Sequence, residues 1–508
     1  MWACDNANMG DYNAASWLVD RHVQEDRGDR VAIRSSGASL TYAQVQAEVF
    51  RAQHALADRG VGPGDRVALV VNDEPAFVAW FLGAMRSGAI PVPLSTMLTG
   101  GDLAAIVADA RASLVVASAE HAPRTGGLDV PAGRVVIGEP SWEVYDDRSE
   151  AAVADTDEAT TAFWLYSSGT TGVPKGVMHR HGSLQATADT FARSVLAATA
   201  DDRFLSVAKL FFAYGLGNSL TFPFAVGGTA ILNPDRPTPP GILQLITDER
   251  PTLFFASPGF VAALLDAAPD PAVFESVRAT STAGESLPGD LQRRFSSTFG
   301  MPVLDGIGTT EALHIFISNT LDEQVAGTSG RPVPGYDAKL LDEQGAEVTE
   351  PDTPGFLHVR GPSIADGYWE RPDATAVAFL PGGWLRTGDV YVRSVDGHWT
   401  FLGRNHDMIK AGGIWVSPAE VESVLIEHPS VLEAAVVGAR NAAGLEEVVA
   451  FVVPASGHEA DAAELEQHCR SRMAAFKRPR RIVVVDELPK TATGKIRRFE
   501  LRESLSSG

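Results

Sequence analysis

The length, composition and charge of the chain exclude several classes of protein before any motif is considered. The chain has 508 residues. Because a single hydrophobic core stops growing at about 250 to 300 residues, we expect two or more domains. Hydrophobic residues make up 45% and charged residues 21%, which is globular composition, and the formal charge of −22 argues against binding to nucleic acid or to an anionic membrane.

The N-terminus and the cysteine content favour a cytoplasmic protein. The segment 1–13 has no basic region before an apolar stretch, so it does not look like a secretory signal. The longest apolar runs, such as Ala76 to Met85, are much shorter than the roughly 20 residues of a membrane-spanning helix. The two cysteines, Cys4 and Cys469, cannot form a disulfide framework or a cysteine-rich metal site.

Helix and strand patterns alternate in the first part of the chain. Thr41 with Gln44 has the pattern of a capping box, and apolar residues at helical spacing follow it as far as Gly60. A buried strand is predicted over Val67 to Val71 and a helix over Phe77 to Ser87. This alternation predicts layered α/β units with parallel sheets.

Residues 166–176 (YSSGTTGVPKG) carry a strong chemical signal. This segment follows a strand pattern over Thr161 to Leu165 and contains five hydroxyl groups, three glycines and a lysine. Glycines let backbone N–H groups approach an anion, and hydroxyls and the lysine add hydrogen bonds and positive charge, which predicts a polyphosphate-binding loop. It is not a Walker A loop, because Pro174 and Gly176 stand where that motif requires a glycine and a hydroxyl residue. The expected phosphate-binding residues are Ser167, Ser168, Gly169, Thr170, Thr171, Gly172 and Lys175.

A different organisation begins farther on. Val390 to Val392 and His398 to Leu402 flank the turn pair Asp396-Gly397, which predicts a β-hairpin. A helix is expected to begin at Pro418, after an N-cap serine and with Glu420 completing a capping box. The later predicted elements are strands over Leu432 to Val437, Val448 to Val453 and Ile482 to Val485, and a helix over Asp461 to Ala475. These elements form a small α+β module, so we place a domain boundary between residues 1–404 and 405–508.

Positive charge is concentrated near the C-terminus of this acidic chain. From Arg470 to Arg502 there are eleven Lys or Arg residues against three acidic residues. Two interpretations are open: a solvated basic face, or a surface on which a polyanionic small molecule docks.

Several further motifs follow the phosphate loop in order. They are STAGESL at 281–287, GIGTTE at 306–311, GWLRTGD at 383–389, Gly403-Arg404, and PKTATGK at 489–495. On these motifs the chain resembles the adenylate-forming superfamily of acyl-CoA and aryl-CoA ligases, luciferases and peptide-synthetase adenylation domains, and the resemblance covers nearly the whole chain. It implies an α/β and α+β fold, with a large N-terminal domain of layered βαβ subdomains plus a small β-barrel and a small mobile C-terminal lid.

The resemblance also implies a reaction in two steps. A carboxylate attacks the α-phosphate of ATP to give acyl-AMP and pyrophosphate, and a thiol then displaces AMP. Thr310 is similar to the hydroxyl residue that contacts the α-phosphate, and Glu311 to the magnesium ligand. Lys495 is similar to the lid lysine that bridges carboxylate and nucleotide oxygens, and Asp407 to the hinge about which the lid turns. The alternative for the Thr310-Glu311 pair is a helix N-cap. The alternative for Lys495 is a solvent-exposed lysine without a catalytic role.

Residues from several motifs are implied to hold the nucleotide and coenzyme A. Asp389 matches the carboxylate that accepts hydrogen bonds from the ribose hydroxyls, and Arg404 matches the basic residue near the same sugar. Ile307 replaces an aromatic residue that many relatives have, which leaves only apolar contact with adenine. The segments implied to line adenine contain Ala283, Gly284, Glu285, Asp305, Gly306 and Ile307. The residues implied to face the thiol in the second step are Lys410, Gly412 and Gly413.

The segment 209–218 (KLFFAYGLGN), called the pocket segment below, resembles the acid-binding segment of the benzoate-CoA ligase branch. It implies a flat pocket, with Phe212 at a gate position where relatives often have histidine. Small residues such as Gly308 would leave space for a ring, and Tyr214 would supply a face for it. His314 either faces a ring substituent or is a buried, hydrogen-bonded histidine, so benzoate and hydroxy- or aminobenzoate stay open. The implied pocket residues are Phe212, Ala213, Tyr214, Gly308, His314 and Ile315.

These observations predict an ATP-dependent aryl-CoA ligase that uses Mg²⁺ and coenzyme A and acts on benzoate or a small substituted benzoate. The basic C-terminal region favours it, because the phosphates of coenzyme A need positive partners. An enzyme that loads a carrier-protein thiol is the alternative, and a luciferase-like monooxygenase and a nucleotide sensor without catalysis are further candidates. We consider a homodimer, although the sequence does not determine the oligomeric state.

Overall fold

The computed structural model describes residues 12–167, 174–411, 414–440, 446–490 and 496–506. The chain divides into two compact units, each assembled from several stretches of sequence. Unit 1 comprises Met1–Pro237, Thr309–His314 and Gly361–Gly383. Unit 2 comprises Thr238–Gly308, Ile315–Arg360 and Trp384–Gly508.

Helices occur along the whole of the described chain. The α-helices are α1 (Ala14–Leu18), α2 (Asp20–Gln24), α3 (Tyr42–Asp58), α4 (Pro75–Arg86), α5 (Gly100–Asp109), α6 (Ala122–Thr125), α7 (Pro140–Glu143), α8 (His181–Thr187), α9 (Ala213–Leu216), α10 (Phe222–Val226), α11 (Pro239–Glu249), α12 (Pro258–Asp266), α13 (Gly289–Phe299), α14 (Pro372–Ala378), α15 (Pro418–Ile426), α16 (Ala462–Arg472) and α17 (Arg498–Ser506). Two π-helical segments cover Ala188–Arg193 and Gly217–Thr221, and 3₁₀ turns cover Ala119–His121, Pro271–Phe274 and Thr310–Ala312.

The strands are short and numerous. They are β1 (Val31–Ser35), β2 (Ala38–Thr41), β3 (Arg66–Val70), β4 (Ile90–Pro93), β5 (Ala112–Ser118), β6 (Arg134–Ile137), β7 (Thr161–Ser167), β8 (Lys175–Arg180), β9 (Arg203–Ser206), β10 (Thr229–Leu232), β11 (Leu253–Ala256), β12 (Ala279–Thr282), β13 (Val303–Gly308), β14 (Ile315–Ser318), β15 (Arg331–Pro332), β16 (Asp337–Leu341), β17 (Gly355–Arg360), β18 (Gly367–Tyr368), β19 (Phe379–Leu380), β20 (Trp384–Arg393), β21 (Trp399–Arg404), β22 (Ile409–Ala411), β23 (Ile414–Val416), β24 (Val431–Arg440), β25 (Glu446–Pro454) and β26 (Arg481–Val484).

Unit 1 contains three arrays of paired strands. One has the order β4-β3-β5-β6 with all neighbours parallel, as the alternation of helix and strand patterns predicts. A second pairs β9, β10 and β1 in parallel and ends on the antiparallel β2. The third joins β7, β8 and β18 in antiparallel order. The core of the parallel sheet includes residues such as Val70, Val92 and Val115, which are buried because both faces of such a sheet are covered.

Unit 2 combines parallel and antiparallel pairing. Strands β11, β12 and β13 are parallel, and β14 and β15 extend that array with antiparallel pairs. Strands β16, β17, β20 and β21 form an antiparallel sheet. Strands β20 and β21 form the hairpin predicted at Asp396-Gly397, so that prediction is confirmed.

The C-terminal part of unit 2 has its own hydrophobic cores. Strand β25 lies between β24, which is antiparallel to it, and β26, which is parallel. Alternate residues of β25 point to opposite faces of this sheet, so Val448, Ala450 and Val452 enter one core, whereas Val449, Phe451 and Val453 enter another. This two-faced packing stabilises the small α+β module that the sequence predicts.

Capping explains where two of the predicted helices begin. The side chain of Thr41 accepts from the Gln44 N–H and that of Gln44 accepts from the Thr41 N–H, so the predicted capping box of α3 is present. At α15, Ser417 accepts from the Glu420 N–H as expected. The carboxylate of Glu420, however, accepts from the Lys477 ammonium group at 2.6 and 2.8 Å. Lys477 is thus the donor to Glu420, in place of the Ser417 N–H that the predicted capping box requires.

The helices of the described chain do not meet the demands of a lipid bilayer. Within residues 12–167 and the other described ranges, no helix combines the length and apolar character that crossing a membrane requires.

Candidate active site

The predicted phosphate loop connects two antiparallel strands of unit 1. Ser167 at the end of β7 lies opposite Lys175 at the start of β8. The Lys175 ammonium nitrogen lies 5.1 Å from the centre of the Tyr368 ring, a cation–π distance. The other predicted loop residues lie outside the described part of the chain; they are Ser168, Gly169, Thr170, Thr171 and Gly172.

The turn that carries Thr310 is fixed through its backbone. The carbonyl oxygens of three consecutive residues, beginning with Thr310, are each hydrogen bonded within unit 1. The first lies 2.9 Å from His179 Nε2, the second accepts from the Ala365 N–H at 2.9 Å, and the third accepts from the Ser363 hydroxyl at 2.6 Å. Burial lowers the pKa of His179 to about 3, so its ring is neutral near pH 7 and Nε2–H donates to the carbonyl. The turn is therefore preorganised by side chains distant in sequence.

The Glu311 carboxylate has a phenol as its neighbour. The Tyr368 hydroxyl donates to Glu311 Oε1 at 2.8 Å. Burial and the charge of Glu311 raise the pKa of Tyr368 above its ordinary value, so the phenol keeps its proton and remains a donor. With Lys175 beside the same ring, a carboxylate, a phenol and an ammonium group converge at this point of unit 1.

This cluster fits a hard divalent cation that shares its ligands with a phosphate. Mg²⁺ prefers oxygen ligands and is usually held by one or two carboxylates, water and substrate phosphates. Among the described residues there is no group of three or more His, Cys, Asp or Glu side chains that could hold a metal. A single carboxylate such as that of Glu311 therefore suits Mg²⁺ that arrives with a nucleotide better than a cage made of protein ligands alone.

The two residues expected near the ribose are partners across a hairpin of unit 2. Asp389 in β20 lies opposite Arg404 in β21, and Arg404 Nε is 3.1 Å from Asp389 Oδ1. Asp389 is buried, whereas about a third of the Arg404 side chain is exposed. In the same strand as Asp389, the buried Tyr391 has its hydroxyl 3.1 Å from the Ser329 hydroxyl. Asp389 and Arg404, which come from separate sequence motifs, thus place a buried carboxylate next to a partly exposed guanidinium.

The segments expected to line adenine follow neighbouring parallel strands of unit 2. Asp305 in β13 is paired with Thr282 in β12 and accepts from its hydroxyl at 2.9 Å. Burial raises the pKa of Asp305 well above its ordinary value, so this side chain belongs to the interior of the sheet. Gly306 has to be glycine, because a Cβ there would lie 2.8 Å from Ile315 Cγ2. Gly284 has φ +98°, which also favours glycine.

The remaining adenine residues are near these strands. Ala283 is buried, and Glu285 and Ile307 are partly exposed. Ile307 pairs with Ile317 across the antiparallel pair β13–β14, and Gly308 pairs with Ile315 in the same ladder.

The pocket segment presents three of its residues at the start of α9. Phe212 is the N-cap residue of α9, and Phe212, Ala213 and Tyr214 are each partly exposed. The segment folds tightly on itself, because a Cβ on Gly215 would lie 2.0 Å from the Lys209 carbonyl oxygen.

His314 lies in a buried aromatic cluster of unit 1. Its Nε2 is 3.2 Å from Asn218 Oδ1, and its ring centre lies 4.5 to 5.4 Å from those of Phe191, Phe222 and Tyr214. Burial lowers the pKa of His314 to about 3. His314 is thus buried and hydrogen bonded in the structure, and its assignment to the aromatic acid stays a prediction.

The predicted hinge is tied to the last helix. Arg502 of α17 is hydrogen bonded to Asp407, which is buried. Lys410 belongs to β22, but its side chain lies outside the described part of the chain, as do Gly412, Gly413 and Lys495.

Most of the basic residues near the C-terminus have acidic partners. The described ion pairs of this region are Arg470–Glu466, Arg472–Glu427, Lys477–Glu420, Lys490–Glu433, Arg497–Glu500, Arg498–Glu422 and Arg502–Asp407. Much of the local excess of positive charge is therefore neutralised within the fold. Neither of the two interpretations of this region is decided by these pairs.

Three residues of the site were not found from the sequence: His179, Ser363 and Tyr368. Each contacts the Thr310 turn across a long stretch of chain. The only local signal is at Gly367-Tyr368-Trp369, where an aromatic pair follows a glycine with φ +141°. Such a pair is an ordinary core feature, so it could not be assigned to the site without the fold.

Known proteins resemble the chain over nearly its whole length. The family model described as "AMP-binding enzyme" matches residues 19–369, and "AMP-binding enzyme C-terminal domain" matches residues 420–495. The benzoate–CoA ligase of Thauera aromatica is 43% identical over 97% of this chain and 96% of its own length. Among solved structures, a benzoate CoA ligase from Burkholderia xenovorans has a TM-score of 0.90 at 40% identity and covers 97% of this chain and 100% of its own. The anthranilate CoA ligase AuaEII in complex with anthranoyl-AMP has a TM-score of 0.94 at 35% identity, with 100% of both chains covered. These likenesses confirm the predicted fold class.

Proposed function

The chain belongs to the AMP-binding enzyme family, and from this membership we propose that it is an ATP-dependent aryl-CoA ligase. It converts an aromatic carboxylic acid, ATP and coenzyme A into an aroyl-CoA, AMP and pyrophosphate. The observation that carries the proposal is that the 43% identity to a benzoate–CoA ligase extends over nearly all of both chains, including the C-terminal module. Loading of a carrier protein is not favoured, because this relative is named as a CoA ligase.

In the first step the acid carboxylate attacks the α-phosphate of ATP and pyrophosphate leaves. The binding energy of the nucleotide holds the two anions in line, and positive or hydrogen-bonding groups offset their repulsion. We assign Lys175 and the loop hydroxyls to the phosphates and Thr310 to the α-phosphate. The hydrogen bonds on the Thr310 turn support this assignment, because they hold its backbone in place before the substrate arrives.

Asp389 and Arg404 are assigned to the ribose, and the segments around Ala283 and Gly306 to adenine. The buried carboxylate of Asp389 can accept hydrogen bonds from both ribose hydroxyls. The Arg404 guanidinium supports this role, because its Nε lies 3.1 Å from Asp389 Oδ1 and orients the carboxylate.

Glu311 is assigned to Mg²⁺. Bound there, Mg²⁺ would supply positive charge that offsets the charge of the phosphate oxygens. The chain's own contribution is the orientation of one carboxylate, which Tyr368 holds by its hydroxyl.

The second step needs a different position of the C-terminal module. Lys495 is assigned to the first step, whereas Lys410, Gly412 and Gly413 are assigned to thiol transfer, and all four belong to residues 405–508. We propose that this module turns about Asp407 between the two steps, with the domain boundary near Arg404. The contact between Arg502 and Asp407 supports this, since it ties the last helix to the point of rotation.

The acid is benzoate or a small ring-substituted benzoate. Phe212, Ala213 and Tyr214 are assigned to the ring on the pocket segment, and Gly308, His314 and Ile315 to the same substrate. Two solved relatives are named for benzoate and for anthranilate, an aminobenzoate, which supports this substrate class. A cytoplasmic location and a homodimer stay predictions.

A substrate panel tests the proposed function. Purified protein is given ATP, Mg²⁺ and coenzyme A with benzoate, hydroxybenzoates, aminobenzoates, phenylacetate or short fatty acids, and AMP release and aroyl-CoA are measured. We expect benzoate or a small substituted benzoate to give the highest kcat/KM. A phosphopantetheinylated carrier protein is the control acceptor. Faster turnover of fatty acids, or aroyl transfer only to the carrier, would contradict the proposal.

A further inference from the structure

Asp73 is a buried carboxylate that none of the sequence motifs includes. It lies in the turn between β3 and α4 of unit 1, and only 3% of the residue is exposed. Its Oδ1 accepts from the backbone N–H of Leu210 at 3.1 Å, although the two residues are 137 positions apart. Leu210 belongs to the pocket segment. The turn after β3 in one sheet therefore holds the segment that follows β9 in another sheet.

Lys209, the first residue of the pocket segment, is held at the same place. Its ammonium group donates to the carbonyl oxygens of Asn233 at 2.5 Å and Asp235 at 2.7 Å. These carbonyls belong to the loop after β10, whereas Lys209 follows β9, the parallel neighbour of β10. Lys209 therefore connects the loops that leave two adjacent strands, and its charge attracts the Asp73 carboxylate.

A buried charge of this kind is unfavourable unless a partner stabilises it. Burial raises the pKa of Asp73 to about 6, while Lys209 and the Leu210 N–H act in the opposite direction and Glu74 acts with burial. An apolar residue at position 73 would leave the Leu210 N–H without this acceptor. The carboxylate thus stabilises one conformation of the pocket segment, although its own charge is desolvated there.

Leu210, whose N–H is bonded to Asp73, is close in sequence to the side chains assigned to the aromatic acid. The Phe212 N–H donates to the Lys209 carbonyl at 3.0 Å, and the Leu216 N–H donates to the Phe212 carbonyl at 2.8 Å. Leu210 and Phe211 are buried, whereas Phe212 and Tyr214 are partly exposed. A displacement at Leu210 would therefore move the gate residue and the ring-facing tyrosine together.

We propose that Asp73, together with Lys209, is a positioning residue for the aromatic acid: it fixes the pocket segment so that Phe212 and Tyr214 are in place before the acid binds. This proposal rests on the proposed function and adds to it two residues that are not among the predicted pocket residues. Both residues act through the backbone contacts that hold the pocket segment, so their substitution should change the acid-binding residues and leave the nucleotide-binding residues unchanged.

Steady-state kinetics of Asp73→Ala with benzoate test the proposal. We expect KM for benzoate to rise about tenfold or more, because a hydrogen bond to a charged acceptor is lost, while KM for ATP stays within about twofold. Asp73→Asn keeps an acceptor oxygen of the same shape, so its KM for benzoate should stay within about threefold of the wild type. A merely structural role would not separate the two KM values.

Glu74→Gln is the matched control. Glu74 is in the same turn, accepts from the Ser118 hydroxyl at 2.5 Å, and has a pKa that burial raises, but its bond does not reach the pocket segment. Its KM for benzoate should stay within about twofold of the wild type. An equal rise in Glu74→Gln, or parallel rises of both KM values in Asp73→Ala, would overturn the proposal.

Lys209→Met keeps the test decisive if Asp73→Ala does not fold. This variant removes the ammonium group and retains an unbranched apolar stem, and we expect a raised KM for benzoate with KM for ATP unchanged; an unchanged KM for benzoate would overturn the proposal. Wild-type turnover separates the two claims. No aroyl-CoA from any aromatic acid would refute the proposed function, whereas normal wild-type turnover with an unchanged Asp73→Ala would refute only the positioning role.

Discussion

Individual residues of the candidate site depend on neighbours that no motif contains. Glu311 was identified from the GIGTTE motif, but the hydroxyl that holds its carboxylate comes from Tyr368, 57 positions later. Similarly, the Thr310 carbonyl is held by His179, 131 positions earlier. Motifs predict which side chains meet the substrate, whereas the residues that orient those side chains are found only through the fold.

Tyr368→Phe tests the orientation of Glu311. Removing a hydrogen bond to a charged group costs about 1.5–3 kcal/mol, so we expect the Mg²⁺ concentration for half-maximal adenylation to rise about tenfold. Binding of Mg²⁺ with ATP, followed by calorimetry, should weaken by a similar factor. Tyr42→Phe is the control, since the Tyr42 hydroxyl donates at 2.8 Å to the Gly228 carbonyl, far in sequence from Glu311. The proposed role would be wrong if both variants had the same Mg²⁺ dependence as the wild type.

At the scale of elements, local patterns gave the capped N-terminal ends of α3 and α15 correctly. The α3 capping box and the β20–β21 hairpin occur as predicted, because both depend on residues within a few positions of one another. The helix predicted to end at Ala475 ends at Arg472, where Met473 becomes extended with φ −138° and ψ 155°. A helix end without a strong cap is set by the packing of the next segment of the chain.

The C-terminal module gives a second prediction at the element scale. Lys495→Ala should slow formation of aroyl-AMP by about a hundredfold or more, because a positive charge is removed where anions meet. Attack of coenzyme A on preformed benzoyl-AMP should be nearly unaffected, since we propose that this step uses another position of the module. Lys490→Ala is the matched control: it lies in the same motif, and its ammonium is paired with Glu433 at 2.6 Å. Equal losses in both half-reactions would refute the two positions of the module.

At the scale of the whole molecule, buried titratable groups set how stability depends on pH. Burial lowers the pKa of His22 and His181 to about 4 and of His179 and His314 to about 3. In the unfolded chain these groups take up protons below about pH 6.5, while in the native state they do not. Stability should therefore fall as the pH falls through this range.

Two buried carboxyl groups act in the opposite direction. The pKa of Asp73 is raised to about 6 and that of Asp305 is raised as well, so the native state binds protons there that the unfolded state has released. Burial also lowers the pKa of His121, His358 and His468 and raises the pKa of Glu74 and Asp366. Seven histidines against four carboxyl groups leave a net uptake of protons on unfolding near pH 6, and each proton is worth about 1.4 kcal/mol per pH unit.

Thermal unfolding measured between pH 7.5 and 5.0 checks this balance. We expect the midpoint to fall steadily as the pH is lowered, and His22→Gln to make the fall less steep. His458→Gln is the control, because His458 is exposed. A midpoint that stays constant or rises toward pH 5 would contradict the assigned pKa directions.

The sequence by itself determined the family, the reaction class and several of the strands and helices. The phosphate loop, GIGTTE and the lid lysine motif are local patterns, and side-chain periodicity and capping are local too. The domain boundary, the roles of the phosphate-loop residues Ser167 and Lys175, and the pocket assignments stay predictions.

Only the tertiary structure decided which distant residues hold the site. The bond from Leu210 to Asp73 spans 137 positions and that from His179 to Thr310 spans 131, and neither residue of either pair carries a local sign of its partner. The physical reason is that such contacts arise from how the sheets and turns of a unit pack, which no short stretch of sequence encodes. The same packing placed His314 among aromatic rings, where its neutral form is favoured.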